Sequence, residues 1–377
     1  MQNFSYVPNF GILSTHPPTP CGLATFSAAL GGGLAGRGAK VSYVRIADGT
    51  PTSNVDVVGE LVNGSQPSVR ACSELLNQSD VAVIQHEYGI YGGPDGDEVV
   101  DVVKGLTVPS IVVAHTVVKS PTPHQRSVLE DVAAMADQVV VMSEAARVRL
   151  CEGFTVDHRK ITTIPHGAAL PSAATSKTSG RPTILTWGLI GPGKGIERVI
   201  DAMAVLKDLP GHPRYLIAGR THPKVLAASG EAYREGLIAQ AERLGVADSV
   251  TFDATYRDTA ALTALIQTAS VVVLPYDSKD QVTSGVLVDS IASGRPIVAT
   301  AFPHAVELLG SGAGTVVGHD DPEALVAALR RLLTDPRVAG SMESQARGLA
   351  PTLAWPVVAG AYDNLAQRLV AARSAAA

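Results

Sequence analysis

Short apolar runs alternate with longer stretches of helical periodicity along this chain. Phe10–Ser14, Val41–Ile46, Val81–Gln85, Ser110–Ala114, Gln138–Met142 and Ile161–Ile164 read as strands. Each is followed by a loop with Gly, Pro, His or Ser and then a helical pattern, such as Ala24–Ala35 or Val128–Met135. Strands apolar on both faces and separated by helices predict a parallel sheet of βαβ units. A polar Ser/Thr/Gly/Pro stretch, Leu170–Pro182, predicts a linker. The alternation then restarts. Ile184–Trp187, Tyr215–Ala218, Val250–Asp253, Val271–Pro275 and Ile297–Thr300 read as strands. Gly195–Leu206, Gly230–Leu244, Ala260–Thr268, Gly285–Ala292 and Pro322–Leu333 read as helices, and Trp355–Arg373 as a final amphipathic helix. The expected fold class is α/β, two Rossmann-like doubly wound domains facing across a cleft. Ligands in such sheets bind outside the C-terminal ends of the strands, so residues just after the strands are the candidates for chemistry.

The segment Ser278–Thr300 carries the strongest signal. A Ser284-Gly285 step opens an apolar helix, so free backbone N–H groups and the positive end of the helix dipole meet at one place. That is an anion site, most naturally for phosphate. Asp289 lies four residues on, on the same side as Gly285, where a carboxylate meets hydroxyls beside the phosphate. A diphosphate beside a sugar hydroxyl pair describes a nucleotide-sugar. After Ile184–Trp187, Lys194 stands among Gly188, Gly191, Gly193 and Gly195. Gly188–Lys194 fits the start of a P-loop, but the next residue is Gly195 and not the Ser or Thr that holds magnesium, which excludes NTP hydrolysis. A Lys on a glycine turn at a helix start still suits phosphate. Arg220, after the next strand, is a second cation candidate.

In the first half, Gly22 precedes a helix and can present N–H groups to an anion, while the dinucleotide pattern G-x-G-x-x-G is absent there. His86, Glu87 and Tyr88 follow one strand, ahead of a loop of glycines at 89, 92, 93 and 96 that reads as flexible. His115 and Thr116 follow the next strand, so two histidines occupy equivalent strand ends. Imidazole there can donate hydrogen bonds to sugar hydroxyls or phosphate and move protons.

Composition narrows the class. Hydrophobic residues make up 46% of 377 and charged residues 17%, with a net charge of −5. Two well-filled cores fit that length. The balance argues against a nucleic-acid partner, which needs a basic face. Three scattered cysteines give neither a disulfide framework nor a zinc motif. The histidines lack compact ligand spacing for a metal, and no G-x-S-x-G elbow supplies a serine nucleophile. The N-terminus has no signal-peptide pattern and no apolar run reaches membrane-spanning length, so a cytoplasmic location is expected.

Segments PTPCGLATF, QHEYGIYGGPDG, HT, IPHGA, WGLIGPGKGIE and TSGVLVDSIASGRPIVATAFPHAVELL together resemble the family-4 retaining glycosyltransferases of the GT-B fold, across nearly the whole chain. The resemblance implies a first, acceptor-side domain from residues 1–170 completed by 355–377, a linker at 171–182, and a nucleotide-sugar domain at 183–354. It implies hexose transfer with retention, from a donor of GDP-mannose or UDP-glucose type, with no metal or other cofactor. The partner is a carbohydrate, lipid-linked or small-molecule acceptor. Asp289 matches the second Glu of the family's E-x7-E pair, which holds the donor ribose. Gln281 stands at the first, with Asp280 one residue off register, so the first acid is missing or displaced. Lys194 matches the diphosphate Lys, Leu189 stands where the family has Arg, and His115 matches a His near the transferred sugar. Catalytic roles are expected for His115, Lys194 and Gln281. Donor contacts are expected for Gly22, Gly193, Arg220, Ser284, Gly285 and Asp289, and acceptor contacts for His86, Glu87 and Tyr88. A nucleotide-sugar epimerase and a non-catalytic binding protein of the same fold are the alternatives.

Overall fold

Seven strands of the first half pair in parallel: β1 (Phe10–Ser14), β2 (Val41–Ile46), β3 (Val57–Leu61), β4 (Val81–His86), β5 (Ser110–Ala114), β6 (Gln138–Val141) and β7 (Ile161–Thr163). Their order is β3-β2-β1-β4-β5-β6-β7, and Phe10 is in register with Val41 on one side and Val81 on the other. All of β1, β4 and β5 is buried, which is why these segments read as unbroken apolar runs. The computed structural model describes residues 6–171 and 180–376.

Six further strands form a second parallel sheet: β8 (Thr183–Trp187), β9 (Arg214–Ala218), β10 (Val250–Asp253), β11 (Val271–Leu274), β12 (Ile297–Thr300) and β13 (Gly314–Val317), in the order β10-β9-β8-β11-β12-β13. Alternate strand residues serve opposite layers, as the two-residue period of a strand requires. Ile184, Val271, Val273 and Val298 pack with the helix Ile196–Leu206 on one face. Leu185, Val272, Leu274 and Ala299 pack with Gly285–Ala292 on the other. Each such side chain, fully buried, contributes roughly 1.5–3 kcal/mol. In both sheets the strand order reverses once, between β1 and β4 and between β8 and β11. The loops that follow these four strands diverge there and leave a crevice at the sheet's C-terminal edge.

The described residues up to Gly167, with those from Trp355 onward, form one unit, and those of Ala168–Ala354 form the other. The change comes at 168, slightly before the expected 170. The reason is local: Ala168 N donates to Leu353 O at 2.8 Å and Ala168 bridges Ala354. Of the expected linker, residues 172–179 lie outside the described residues, and Pro182 already accepts from Arg214 N at 2.9 Å.

The final helix, Trp355–Ala376, lies in the first unit against Gly22–Ala35, where Val358, Ala359, Tyr362 and Leu365 share a core with Phe26, Leu30 and Leu34. Gly33 permits this approach, because a Cβ there would stand 2.8 Å from Ala359 Cβ and 3.2 Å from Trp355 O. Arg37 Nε donates to the buried Asp363 at 3.0 Å. Elements beyond the sequence reading are β3, β13 and the helices Gln66–Leu76, Glu98–Lys104, Glu144–Gly153, Pro303–Leu309 and Pro336–Leu349. The single helix expected over Gly230–Leu244 is Ala232–Arg243, preceded by a separate helix Pro223–Ser229, with Gly230 at φ +62° breaking the two. Replacing Gly33 with Val is expected to destabilise the first unit by about 1–3 kcal/mol through overpacking against the last helix, read from the midpoint of its urea transition.

Candidate functional site

In the second unit the loops after β8 and β11 are locked together at the strand-order reversal. Gly195 caps the Ile196–Leu206 helix at φ +63°, and a Cβ there would fall 1.8 Å from Pro275 O. Only glycine permits both the left-handed backbone and that approach. Asp277 N donates to Gly193 O at 3.0 Å, and Arg198 donates to Pro275 O at 3.0 Å while pairing with Asp277 at 2.7 Å. The result is the placement of Lys194. Its Nζ stands 4.5 Å from the ring centroid of Tyr276, a cation–π contact, and burial pulls its pKa below the usual lysine value. Tyr276 is itself 2% exposed and stacked on Phe302 at 5.4 Å. Gly193, at φ +89°, has nothing within 4 Å of a would-be Cβ, so the turn beside Lys194 is open.

The helix Gly285–Ala292 starts where the sequence predicts, with Ser284 as its cap. The donor set differs from the expectation. Ser284 N–H is taken by Nδ1 of the buried His304 at 2.9 Å, and Leu287 N–H by Ser284 Oγ at 3.2 Å. Gly285 and Val286 remain as the first-turn N–H donors with no protein acceptor among the described residues. Asp289 is half-buried by surface, yet crowding around its carboxylate pushes the pKa up to about 7. Gln281 folds back on its own loop, donating to Thr283 O at 3.0 Å. Arg220 is exposed and stacks over Tyr256 at 5.6 Å, beyond β9. Lys194 stands on the β11 side of β8, and the structure brings the two cations into no contact with each other.

In the first unit, Cys21 caps the Gly22–Ala35 helix, its Sγ accepting from Ala24 N at 3.4 Å. Gly22 is exposed, and a Cβ there would meet nothing within 4 Å. The preceding loop is held by Arg45, an unread residue that is fully buried in β2. Its guanidinium donates to His16 O (3.3 Å), Thr19 Oγ1 (3.0 Å), Thr50 O (2.6 Å) and Glu60 (2.8 Å), and pairs closely with Asp48. A lone Arg in the run VSYVRI was the available signal.

His86, expected on the acceptor side, is 1% exposed and packs edge-on against Tyr88 at 5.0 Å. The Tyr88 hydroxyl is spent on Gln125 O at 3.2 Å. Both are packed beneath the loop; Glu87 is partly exposed and accepts from Thr116 Oγ1 at 2.5 Å. The following glycine loop, expected to be flexible, forms a turn held by close backbone contacts. Gly93 and Gly96 sit at φ +77° and +71°, and a Cβ at Gly96 would lie 2.7 Å from Tyr88 O. Buried Glu98 ties the loop down, accepting from Gly92 N and Gly64 N.

His115 is half-buried after β5. Its Nε2 lies 2.6 Å from Gln85 Oε1, and Phe26 meets its ring at 4.8 Å and 83°. Phe26 also contacts His166 (5.1 Å) and Trp355 (5.1 Å). Burial, with the neighbouring His166 and His86, lowers the His115 pKa to about 3, and burial lowers those of His86 and His166 to about 4. All three imidazoles are therefore neutral near pH 7. Among the described residues no group of three His, Cys, Asp or Glu comes together to hold a metal, and no helix is long and apolar enough to cross a membrane.

Two expected outcomes follow from these arrangements. Between the depressed values and the ordinary histidine value near 6.5, the unfolded chain binds protons that the folded chain does not, so stability is full above about pH 6.5 and falls as the pH drops toward 4. Asp289, shifted up, works in the opposite direction between its ordinary value and about 7. Three groups against one make the net loss acidic, and a His115→Gln variant should lose less melting temperature than the wild type between about pH 7 and 5. Replacing Arg45 with Met should lower the stability of the first unit by about 2–4 kcal/mol, measured by urea unfolding.

The described geometry has counterparts among known proteins. The chain is similar to HepE of Anabaena, solved in complex with UDP and glucose, with a TM-score of 0.77, 16% identity, and coverage of 95% of this chain and 99% of that one. It is similar in fold to WaaG, a glycosyltransferase involved in lipopolysaccharide biosynthesis, with a TM-score of 0.65, 17% identity, and coverage of 94% and 99%. These likenesses show the fold, the two Rossmann-like domains of GT-B proteins. In sequence, it is 30% identical over 280 residues to a D-inositol 3-phosphate glycosyltransferase of Segniliparus rotundus, covering 67% of this chain and 60% of that protein. A protein of the same name from Streptomyces griseus is 34% identical over 183 residues, 47% of this chain and 37% of that one. The chain thus spans about 60% or less of the length of these two relatives. Residues 172–349, the stretch that carries Lys194, Ser284 and Asp289, match the family Glycosyl transferases group 1.

Proposed function

We propose that this chain is a retaining hexosyltransferase that moves a sugar from a nucleotide-sugar to an acceptor hydroxyl without a metal. The observation that carries the proposal is the convergence of Lys194, fixed over Tyr276, and the open N–H groups of Gly285 and Val286 on one strand-order reversal. A cation and a helix N-terminus on the same crevice suit a pyrophosphate. Similarity to glycosyltransferases in sequence and in fold supports the same reading. UDP-glucose is the first donor to test, with GDP-mannose next, and an inositol phosphate is the first acceptor, since relatives are named for it.

In this reaction the bond between the sugar's anomeric carbon and the diphosphate oxygen breaks. A bond to the acceptor oxygen forms on the same face, and the acceptor proton passes to the departing phosphate. Lys194, the Gly285 and Val286 N–H groups and the helix dipole would neutralise the charge that develops on the leaving group, usually the largest catalytic contribution. Gly193 leaves room for the diphosphate to approach backbone, and Asp289 would accept from ribose hydroxyls. Neutral His115 would serve as a hydrogen-bonding group toward the sugar and not as an acid. Lys194→Ala is expected to lower transfer by about a hundredfold or more, measured as nucleoside diphosphate released in the presence of acceptor. Unchanged turnover removes Lys194 from the mechanism. Donor conversion without any acceptor would show an epimerase instead.

A further inference from the structure

Gln85 and His115 stand thirty residues apart in sequence and meet at the ends of adjacent strands β4 and β5, where His115 N also donates to His86 O at 3.1 Å. Gln85 is fully buried. The 2.6 Å contact joins its Oε1 to His115 Nε2. With the amide oxygen turned to the ring, two acceptor lone pairs would not approach that closely, so this orientation calls for the proton on Nε2, donated to the amide oxygen. A neutral imidazole has one N–H, which leaves Nδ1 as an acceptor. The arrangement costs something. With Oε1 committed, the Gln85 Nε2 group is buried without a hydrogen-bond partner. Phe26, edge-on at 4.8 Å, fixes the ring from a second direction.

We propose that Gln85 is a positioning residue that locks His115 in the Nε2–H tautomer, so that Nδ1 accepts a hydrogen bond from a hydroxyl of a bound sugar. The sugar half of this assignment rests on the transferase reading; the tautomer half does not. The site then selects for a sugar that keeps a donating hydroxyl at that position, because a deoxy analogue would leave Nδ1 unpaired.

The test is long-range 1H–15N NMR on the full chain with 15N-labelled histidine near pH 7.5, with the His115 signals assigned by their loss in His115→Gln. His115 is expected to carry its proton on Nε2 in the wild type and in Gln85→Glu, which keeps an acceptor oxygen. In Gln85→Leu it is expected to move toward the Nδ1–H form. A wild-type His115 protonated on Nδ1 overturns the proposal without recourse to any Gln85 variant, as does an unchanged tautomer in Gln85→Leu. In the transfer assay Gln85→Leu should lower kcat about tenfold with a much smaller change in donor KM, and an unchanged kcat overturns the functional half. Absence of any sugar transfer by the wild type would sink the transferase reading, while the NMR result would still decide the tautomer.

Discussion

The contact between Gly195 and the carbonyl of Pro275 is the constraint on which the second unit's chemistry rests. Two loops that leave adjacent strands β8 and β11 in diverging directions are brought to backbone contact there. Nothing larger than glycine fits. Asp277 N to Gly193 O and Arg198 to Pro275 O then fix the register of the two loops. Lys194, the neighbour of Gly195, inherits its position from that register and comes to lie on Tyr276, which is rigid because it is buried against Phe302. A flexible lysine is thus preorganised by contacts that involve none of its own hydrogen bonds. Preorganisation of this kind is what makes a charge effective against a leaving group.

The first unit shows a different device. Its loops are held by buried polar groups. Arg45 gathers the acceptors of the turn before Gly22, Glu98 accepts from Gly92 N and Gly64 N, and Gln85 holds His115. Each lies at or beyond the end of a strand, where backbone ladders stop and carbonyl and N–H groups would otherwise lack partners. The histidines are kept neutral by burial, so the cluster around Phe26 behaves as packing with hydrogen-bonding edges and adds no positive charge.

Much of the fold was legible because period and burial agree. β1, β4, β5 and β12 are buried throughout and were readable as apolar runs. β3 was not, since its pattern is half-exposed and contains Gly59, where a Cβ would meet Leu75 Cδ1 at 2.4 Å. The helix Pro303–Leu309 is one short turn pair behind a proline, below the length at which periodicity speaks. At the site, Lys194 and Ser284 were legible because glycines and a cap mark them locally. Arg45, His304 and Gln85 act through partners 29, 20 and 30 residues distant, and only the folded chain brings these together. The same limit explains His86 and Tyr88. Their position after a strand suggested acceptor contacts, while their burial depends on a loop set by Glu98 and Gln125.

The return of Trp355–Ala376 to the first unit has a bearing on biogenesis. Phe26, Leu30 and Leu34 are synthesised before the whole second unit, and the side chains that complete their core, Val358 through Leu365, only after it. Most of the second unit's strands, by contrast, have all their neighbours by residue 317. The first unit therefore carries an unsealed apolar strip while the second is being made, a surface open to non-native association until Trp355–Ala376 arrives.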